Sequence, residues 1–115
     1  MTAFKRLAFA CAALLAGLHL AQAQTPVSKI IVPFAPGGGQ DVLARVIAPE
    51  LATLLGETFI IENRAGAGGA VGATAVARSK PDGMTLLMAA SSHTISAALD
   101  RKTPFDPVKD FTAVA

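Results

Sequence analysis

The chain has 115 residues, of which 52% are hydrophobic and 16% charged, and this composition excludes a disordered or fibrous protein. Its formal net charge is +2, and Lys5 and Arg6 account for that excess, so the sequence offers no basic patch for nucleic acid. A single cysteine, Cys11, excludes an intrachain disulfide.

The first 23 residues have the three parts of a secretory signal peptide. Lys5 and Arg6 precede an apolar run over residues 7–20, and small residues follow at the positions that a signal peptidase reads. This run is shorter than the ~20 residues that a spanning helix needs. We therefore predict export out of the cytoplasm with cleavage after Ala23, and a mature chain that does not span a membrane. Because Cys11 lies inside the apolar run, a lipoprotein is not expected.

The first two predicted elements are a buried strand and an amphipathic helix. Residues 29–34 are rich in β-branched side chains and apolar on both faces, which is typical of a central parallel strand. A helix is predicted to begin at Gln40 or Asp41 and to reach about residue 55, where Gly56 should end it. Pro49 should kink or split this helix. Apolar residues recur in it at helical spacing: Leu43, Ile47, Leu51, Leu54 and Leu55.

The rest of the chain alternates strands with short helices. A strand is predicted over residues 58–63, followed by a glycine loop over 64–69 and an alanine-rich helix over 70–78. A turn over 79–83 leads to a strand over 85–90 and a loop over 91–94. A weak helix then reaches about residue 99, a turn-like stretch covers 100–110, and another strand could begin at Phe111. A β-α-β-α-β order with short connections predicts an α/β fold with a parallel sheet and right-handed crossovers.

Three loops should meet at one edge of this sheet. The loops over residues 36–40, 64–69 and 91–94 each follow a predicted strand, and the strands of a parallel sheet all end at the same edge. Two of these loops are rich in glycine, and the third (SSHT) carries hydroxyls and a histidine. Backbone amides, hydroxyls and helix N-termini together can bind a carboxylate or a similar oxyanion. Tight strand-to-helix turns without a ligand are the alternative.

Catalytic, cofactor and metal sites lack their required residues. No Lys-Ser or Lys-Thr pair closes a glycine run, and Val71 occupies the position where a dinucleotide fingerprint needs its third glycine. Ser92 has no G-x-S-x-G surroundings, and the two histidines, His19 and His93, are too few for a metal cluster. The sequence therefore predicts a protein that is not an enzyme and that uses no cofactor.

Several candidate residues have a structural alternative. Asp41 could serve only to favour the helix N-terminus electrostatically. Arg64 could pair with a carboxylate ligand or remain a solvated surface residue. His93 is better explained as a hydrogen-bonded loop residue than as an acid or base, and the hydroxyls of residues 91–94 could merely cap the following turn.

Residues 32–41 (VPFAPGGGQD), followed by Ala44 and Arg45, resemble the signature opening of the Bug-type receptors, the periplasmic substrate-binding proteins of tripartite tricarboxylate transporters. The resemblance continues through residues 62–69 (ENRAGAGG), 81–83 (PDG) and 107–111 (PVKDF).

This resemblance implies a two-domain clamshell receptor that binds a small carboxylate between its domains. The expected ligand is a di- or tricarboxylate, an acidic amino acid or an aromatic acid, which the receptor delivers to membrane permease subunits. The residues expected to bind it, by resemblance and by their place in the loops, are Phe34, Ala35, Gly37, Gly38, Gly39, Asp41, Gly68, Ser91, Ser92, His93 and Thr94.

Members of the family continue into a second domain and then return to the first. Residues 24–115 are therefore expected to form the N-terminal portion of the first domain, and a truncated receptor of this kind should bind its ligand weakly or not at all. Two alternatives remain beside the transport receptor: a periplasmic sensing module for a signalling partner, and a non-functional remnant.

Overall fold

A computed structural model of the protein describes residues 25–99 and 103–114. The predicted signal peptide lies outside these residues, so export and cleavage after Ala23 stay predictions. Among the described residues, no helix is both long and apolar enough to cross a membrane.

Three parallel strands form the sheet, as the sequence predicts. They are β1 (Val27–Val32), β2 (Thr58–Asn63) and β3 (Thr85–Leu87), in the order β2-β1-β3. The central position of β1 explains its sequence, because both of its faces and both of its edges are covered. Ile30, Ile31 and Val32 are accordingly no more than 3% exposed.

Within the part of the chain that the structure describes, three α-helices and one short 3₁₀ turn connect and follow the strands. They are α1 (Gly39–Leu55), the 3₁₀ turn (Ala67–Gly69), α2 (Ala70–Ala77) and α3 (Ser91–Leu99). Because β2 and β3 lie on opposite sides of β1, right-handed crossovers place α1 and α2 on opposite faces of the sheet. The contacts agree, since α1 packs against Ile30 and Val32, whereas α2 approaches Pro33.

The predicted third strand is too long by three residues. Its ladder with β1 ends where the Met88 N–H donates to the Ile31 carbonyl at 2.9 Å. Continued pairing would need an N–H from Pro33, which proline does not have. The chain therefore leaves the sheet after Leu87, and residues 111–114 contain no strand.

Only part of the predicted apolar stripe of α1 faces the sheet: Leu51 packs against the core cluster, whereas three other leucines do not. Ala44 and Ala48 are buried against β1, whereas Leu43, Leu54 and Leu55 are exposed by 52%, 79% and 59%. Small side chains on the inner face let the helix axis come close to the sheet. The predicted split at Pro49 is wrong, because α1 runs unbroken to Leu55, with Gly56 as its left-handed C-cap.

Candidate functional site

A shallow hollow, open to solvent, lies at the edge of the sheet where the strands end. The end of β1, the 3₁₀ turn, the segment after β3 and the first turn of α3 all contribute to its wall. It is lined by Pro33, Gly68, Gly69, Ala73, Leu87, Ala89, Ala90, Ser92, His93 and Phe105. None of these described residues is Asp, Glu, Lys or Arg, so the groups that the hollow offers to an anion are N–H and hydroxyl groups.

Three of the predicted site residues line this hollow: Gly68, Ser92 and His93. Phe34 lies beside it, because a Cβ built on Gly69 would be 3.6 Å from Phe34 Cζ. The structure therefore brings the second glycine loop and the SSHT segment together, as the sequence predicts.

The other predicted residues lie outside the lining. Ala35, Gly37 and Gly38 form the turn after β1, and Gly39 and Asp41 begin α1. Ser91 and Thr94 flank the two lining residues of α3 and are exposed. Ligand contact by these seven residues stays a prediction.

The SSHT segment is not a loop, which corrects the sequence analysis. Residues 91–94 form the first turn of α3, and the His93 N–H donates to the Ala90 carbonyl at 2.9 Å. The first N–H groups of an α-helix have no partner within the helix, and they carry the positive end of its dipole. Because Ser92 and His93 line the hollow, the positive end of the α3 dipole lies close to it.

The second glycine loop reaches the hollow through backbone conformations that favour glycine. Gly66, Gly68 and Gly69 have φ values of 140°, 64° and 100°. Together they fold the chain back so that the Gly69 N–H donates to the Gly66 carbonyl at 2.9 Å. This compact turn places Gly68 and Gly69 next to Pro33 at the end of the central strand.

Asp41 is buried at the start of α1, where its carboxylate accepts three hydrogen bonds. It is 3% exposed. Its Oδ2 accepts from the Gly37 N–H at 2.9 Å and from Arg45 Nε at 3.0 Å, and its Oδ1 accepts from Asn63 Nδ2 at 2.9 Å. Asn63 Nδ2 also donates to the Phe34 carbonyl at 3.2 Å. These bonds fix the turn after β1 to the end of β2.

The hydrogen bonds to Asp41 also perturb its acidity. The bond from Arg45, followed by those from the Gly37 N–H and Asn63, holds the pKa of Asp41 well below its usual value. The same pairing raises the pKa of the Arg45 guanidinium. Asp41 is thus a charged structural residue in the folded protein, which supports the electrostatic role that the sequence analysis left open.

These contacts explain why the triple-glycine turn is not in the lining. Asn63 holds the turn toward β2, on one side of β1, whereas the hollow lies toward β3, on the other side. Nothing in the local sequence of the turn indicates this direction, because Asp41 and Asn63 are 22 positions apart.

The ring of His93 is enclosed by two phenylalanines. It stacks on Phe105 with a centroid distance of 5.3 Å and an interplanar angle of 4°. Phe111 meets it edge-on at 4.8 Å, and the two phenylalanine rings are 5.7 Å apart. Within residues 25–99 and 103–114, His93 Nδ1 is buried without a hydrogen-bond partner.

Sequence reasoning missed most of the lining residues and also Asn63; Asn63 and Phe105 illustrate the two reasons. Asn63 could have been found, because a polar side chain that ends an apolar strand lies at the edge where ligands bind. Phe105 gives no such signal, since it lies between prolines in a stretch without periodicity.

The described residues contain no group of three or more His, Cys, Asp or Glu that could hold a metal ion. Arg64 pairs with Glu62 at 2.6 Å on the protein surface, and its hydrogen bond lowers the pKa of Glu62. This pairing agrees with the surface alternative for Arg64.

Residues 43–115 match the family model described as the tripartite tricarboxylate transporter family receptor. Protein BugT of Bordetella pertussis is 43% identical over 89 residues, which cover 76% of this chain and 27% of BugT. Among solved structures, MatC from Rhodopseudomonas palustris with bound malate is 43% identical with a TM-score of 0.70, over 77% of this chain and 31% of MatC. An R. palustris protein with adipate is 39% identical with a TM-score of 0.53, over 57% of this chain and 22% of that one. The chain thus spans less than a third of the length of these relatives.

Proposed function

Because the chain belongs to the family of tripartite tricarboxylate transporter receptors, we propose that its hollow forms part of a periplasmic receptor site for a small carboxylate. The observation that carries this proposal is the meeting of Gly68, Gly69, Ser92 and His93 in one hollow where parallel strands end. Ligands of open α/β sheets bind at this edge.

The chemistry of the hollow suits an oxyanion. Ser92 and the start of α3 lie at the hollow, so a hydroxyl group and the positive end of a helix dipole are close to it, and charge-assisted hydrogen bonds to carboxylate oxygens are stronger than neutral ones. The apolar groups of Pro33, Ala73 and Leu87 suit the hydrocarbon part of an organic acid.

Two solved relatives support a dicarboxylate as the ligand class to propose, since malate and adipate are both dicarboxylates. We therefore favour a dicarboxylate as the ligand and membrane permease subunits as the partner. A periplasmic sensing module is the second candidate. Deletion of the gene separates the two, because loss of dicarboxylate uptake supports transport, whereas loss of gene induction with normal uptake supports sensing.

The ligand class can be tested by titration of the full chain. We expect saturable binding of malate or adipate, with a dissociation constant of about 1 mM or weaker because the hollow is open to solvent. Butane-1,4-diol and hexane-1,6-diol match the two acids in carbon number but carry no charge, and we expect no binding of either. Equal binding of acids and diols would contradict the proposal, and a micromolar constant would contradict the expected weakness.

We also propose that residues 1–23 direct export of the chain. Expression in a Gram-negative host should yield a periplasmic form whose N-terminal residue is Gln24, because the apolar run and the small residues before this position fit a signal peptidase. N-terminal sequencing of the periplasmic fraction measures this directly. Replacement of Leu14 and Leu15 with aspartate should keep the precursor in the cytoplasm, and an uncut precursor in the periplasm would disprove the assigned cleavage.

A further inference from the structure

The second strand, β2, lies at one edge of the sheet. Within residues 25–99 and 103–114 its only neighbouring strand is β1, and none of its six residues is buried. Ile60 is 47% exposed and lies on the face of the sheet opposite to α1, because Phe59 and Ile61 on either side of it pack on the α1 face. An apolar side chain is therefore open to solvent in the middle of an edge strand.

The backbone of β2 turns every second residue away from β1. The Thr58 N–H donates to the Pro26 carbonyl at 2.8 Å. Six positions later the Arg64 N–H donates to the Val32 carbonyl at 2.8 Å. Because alternate residues of a strand share one direction of hydrogen bonding, the even-numbered residues of β2 bond to β1. The odd-numbered residues direct their N–H and C=O groups outward, and these are Phe59, Ile61 and Asn63.

The outer edge of β2 lacks the features that usually protect a sheet edge from pairing. It contains no proline, glycine or lysine. Its one charged residue, Glu62, is neutralised within the chain, because Lys29 Nζ lies 3.7 Å and Arg64 Nη2 2.6 Å from its carboxylate. Strand β3, at the other edge, is only three residues long, and shortness is itself a protection. The edge that can accept another strand is therefore that of β2.

We propose that the outer edge of β2 is a dimerisation site, where β2 of a second copy of this chain pairs with it in the antiparallel direction. A two-fold axis beside Ile60 places this residue opposite Ile60 of the second copy. Phe59 then lies opposite Ile61, and Thr58 opposite Glu62, so apolar residues face apolar ones and no like charges meet. An axis beside Ile61 would instead place Glu62 opposite Ile60, which is unfavourable.

This register also satisfies the outward backbone groups. Phe59 and Ile61 of the two copies form two hydrogen-bonded pairs, each of which exchanges two N–H···O=C bonds. The two Ile60 residues form the non-hydrogen-bonded pair between them, where side chains come closest. A contact of one strand per copy is small, so we expect a dissociation constant of roughly 100 µM. No residue of β2 lines the hollow, so the dimer does not depend on the proposed function.

Sedimentation equilibrium of the full chain tests the dimer. We expect the wild type to change from monomer to dimer through this concentration range, and Ile60→Lys to stay monomeric because two lysines would face each other. Val46→Lys is the matched control, since Val46 is 63% exposed but lies on α1. V46K should dimerise like the wild type, and circular dichroism should show that both variants are folded. A wild type that is still monomeric at about 1 mM, ten times the expected constant, would overturn the proposal. So would an I60K variant that dimerises as tightly as V46K.

Disulfide trapping tests the register and does not depend on a disruptive variant. Cys11 is the only cysteine of the chain, so Cys11→Ala provides a background without thiols. Added Ile60→Cys should form a disulfide-linked dimer under mild oxidation, because facing Cα atoms about 4.5 Å apart are within disulfide range. Thr58→Cys is the control, because in this register the two copies of residue 58 are about 13 Å apart. No trapping of I60C, or equal trapping of T58C, would overturn the antiparallel pairing.

Discussion

Replacing Asp41 with asparagine is expected to lower the melting temperature by roughly 5–10 °C at pH 7. The asparagine amide can accept hydrogen bonds only at its oxygen, so it cannot accept from all three donors that bind the Asp41 carboxylate. Thermal unfolding followed by circular dichroism measures the change. Glu50→Gln is the matched control, because Glu50 is an exposed carboxylate on the same helix, and E50Q should unfold at the wild-type temperature.

The effect of Asp41 should also depend on pH in a defined direction. Its pKa is lowered in the folded protein, whereas an unfolded aspartate has a pKa of about 3.9. The stability that it contributes is therefore fully present above about pH 5 and is lost as pH falls through the lowered folded value. The gap in melting temperature between wild type and D41N should narrow below about pH 4. Equal melting temperatures at pH 7, or a gap that stays constant in acid, would contradict this role.

Replacing Gly72 with alanine is expected to destabilise the protein by about 2–3 kcal/mol, since overpacking of a close contact is costly. A Cβ at this position would lie 2.8 Å from Pro33 Cβ, 2.9 Å from Pro33 Cα and 3.0 Å from the Arg64 carbonyl oxygen. Two of these are backbone atoms, which cannot rotate away as a side chain can. The energetic cost of the clash therefore exceeds the ~1 kcal/mol by which alanine stabilises a helix relative to glycine. Urea unfolding gives the free energy of unfolding.

Gly39→Ala is the control for G72A. Gly39 also lies in a helix, but a Cβ there would meet nothing within 4 Å. We expect G39A to leave the free energy of unfolding unchanged or slightly higher. If G72A were as stable as G39A, α2 would not approach the end of β1 as closely as the structure places it.

The order of strands and helices could be predicted because its signals are local. Strand β2 was predicted with its observed bounds, since a β-branched run lies between Gly56 and the second glycine loop. The buried face of α1 could not be predicted in the same way. Leucines usually mark the buried face of a helix, but here Ala44 and Ala48 pack against the sheet. They do so because α1 lies close to the sheet and the hydrogen bond between Asn63 and Asp41 fixes the rotation of the helix.

The candidate site was predicted only in part because its contacts join distant segments. Gly68 and Ser92 lie at one edge of the sheet, and a parallel sheet alone predicts this because all of its strands end at the same edge. The link from Asn63 to the turn after β1 and the stack of Phe105 on His93 depend on how whole segments fold back. Neither has a periodicity or motif that a single sequence reveals.

A map of backbone amide shifts on the full chain, with malate added, tests most directly whether the hollow is the binding site. We predict that the largest and saturable shifts fall on Gly68, Gly69, Ser92 and His93. Shifts that leave these four amides still and fall elsewhere, on β2 or the outer face of α1 for example, would contradict the assignment.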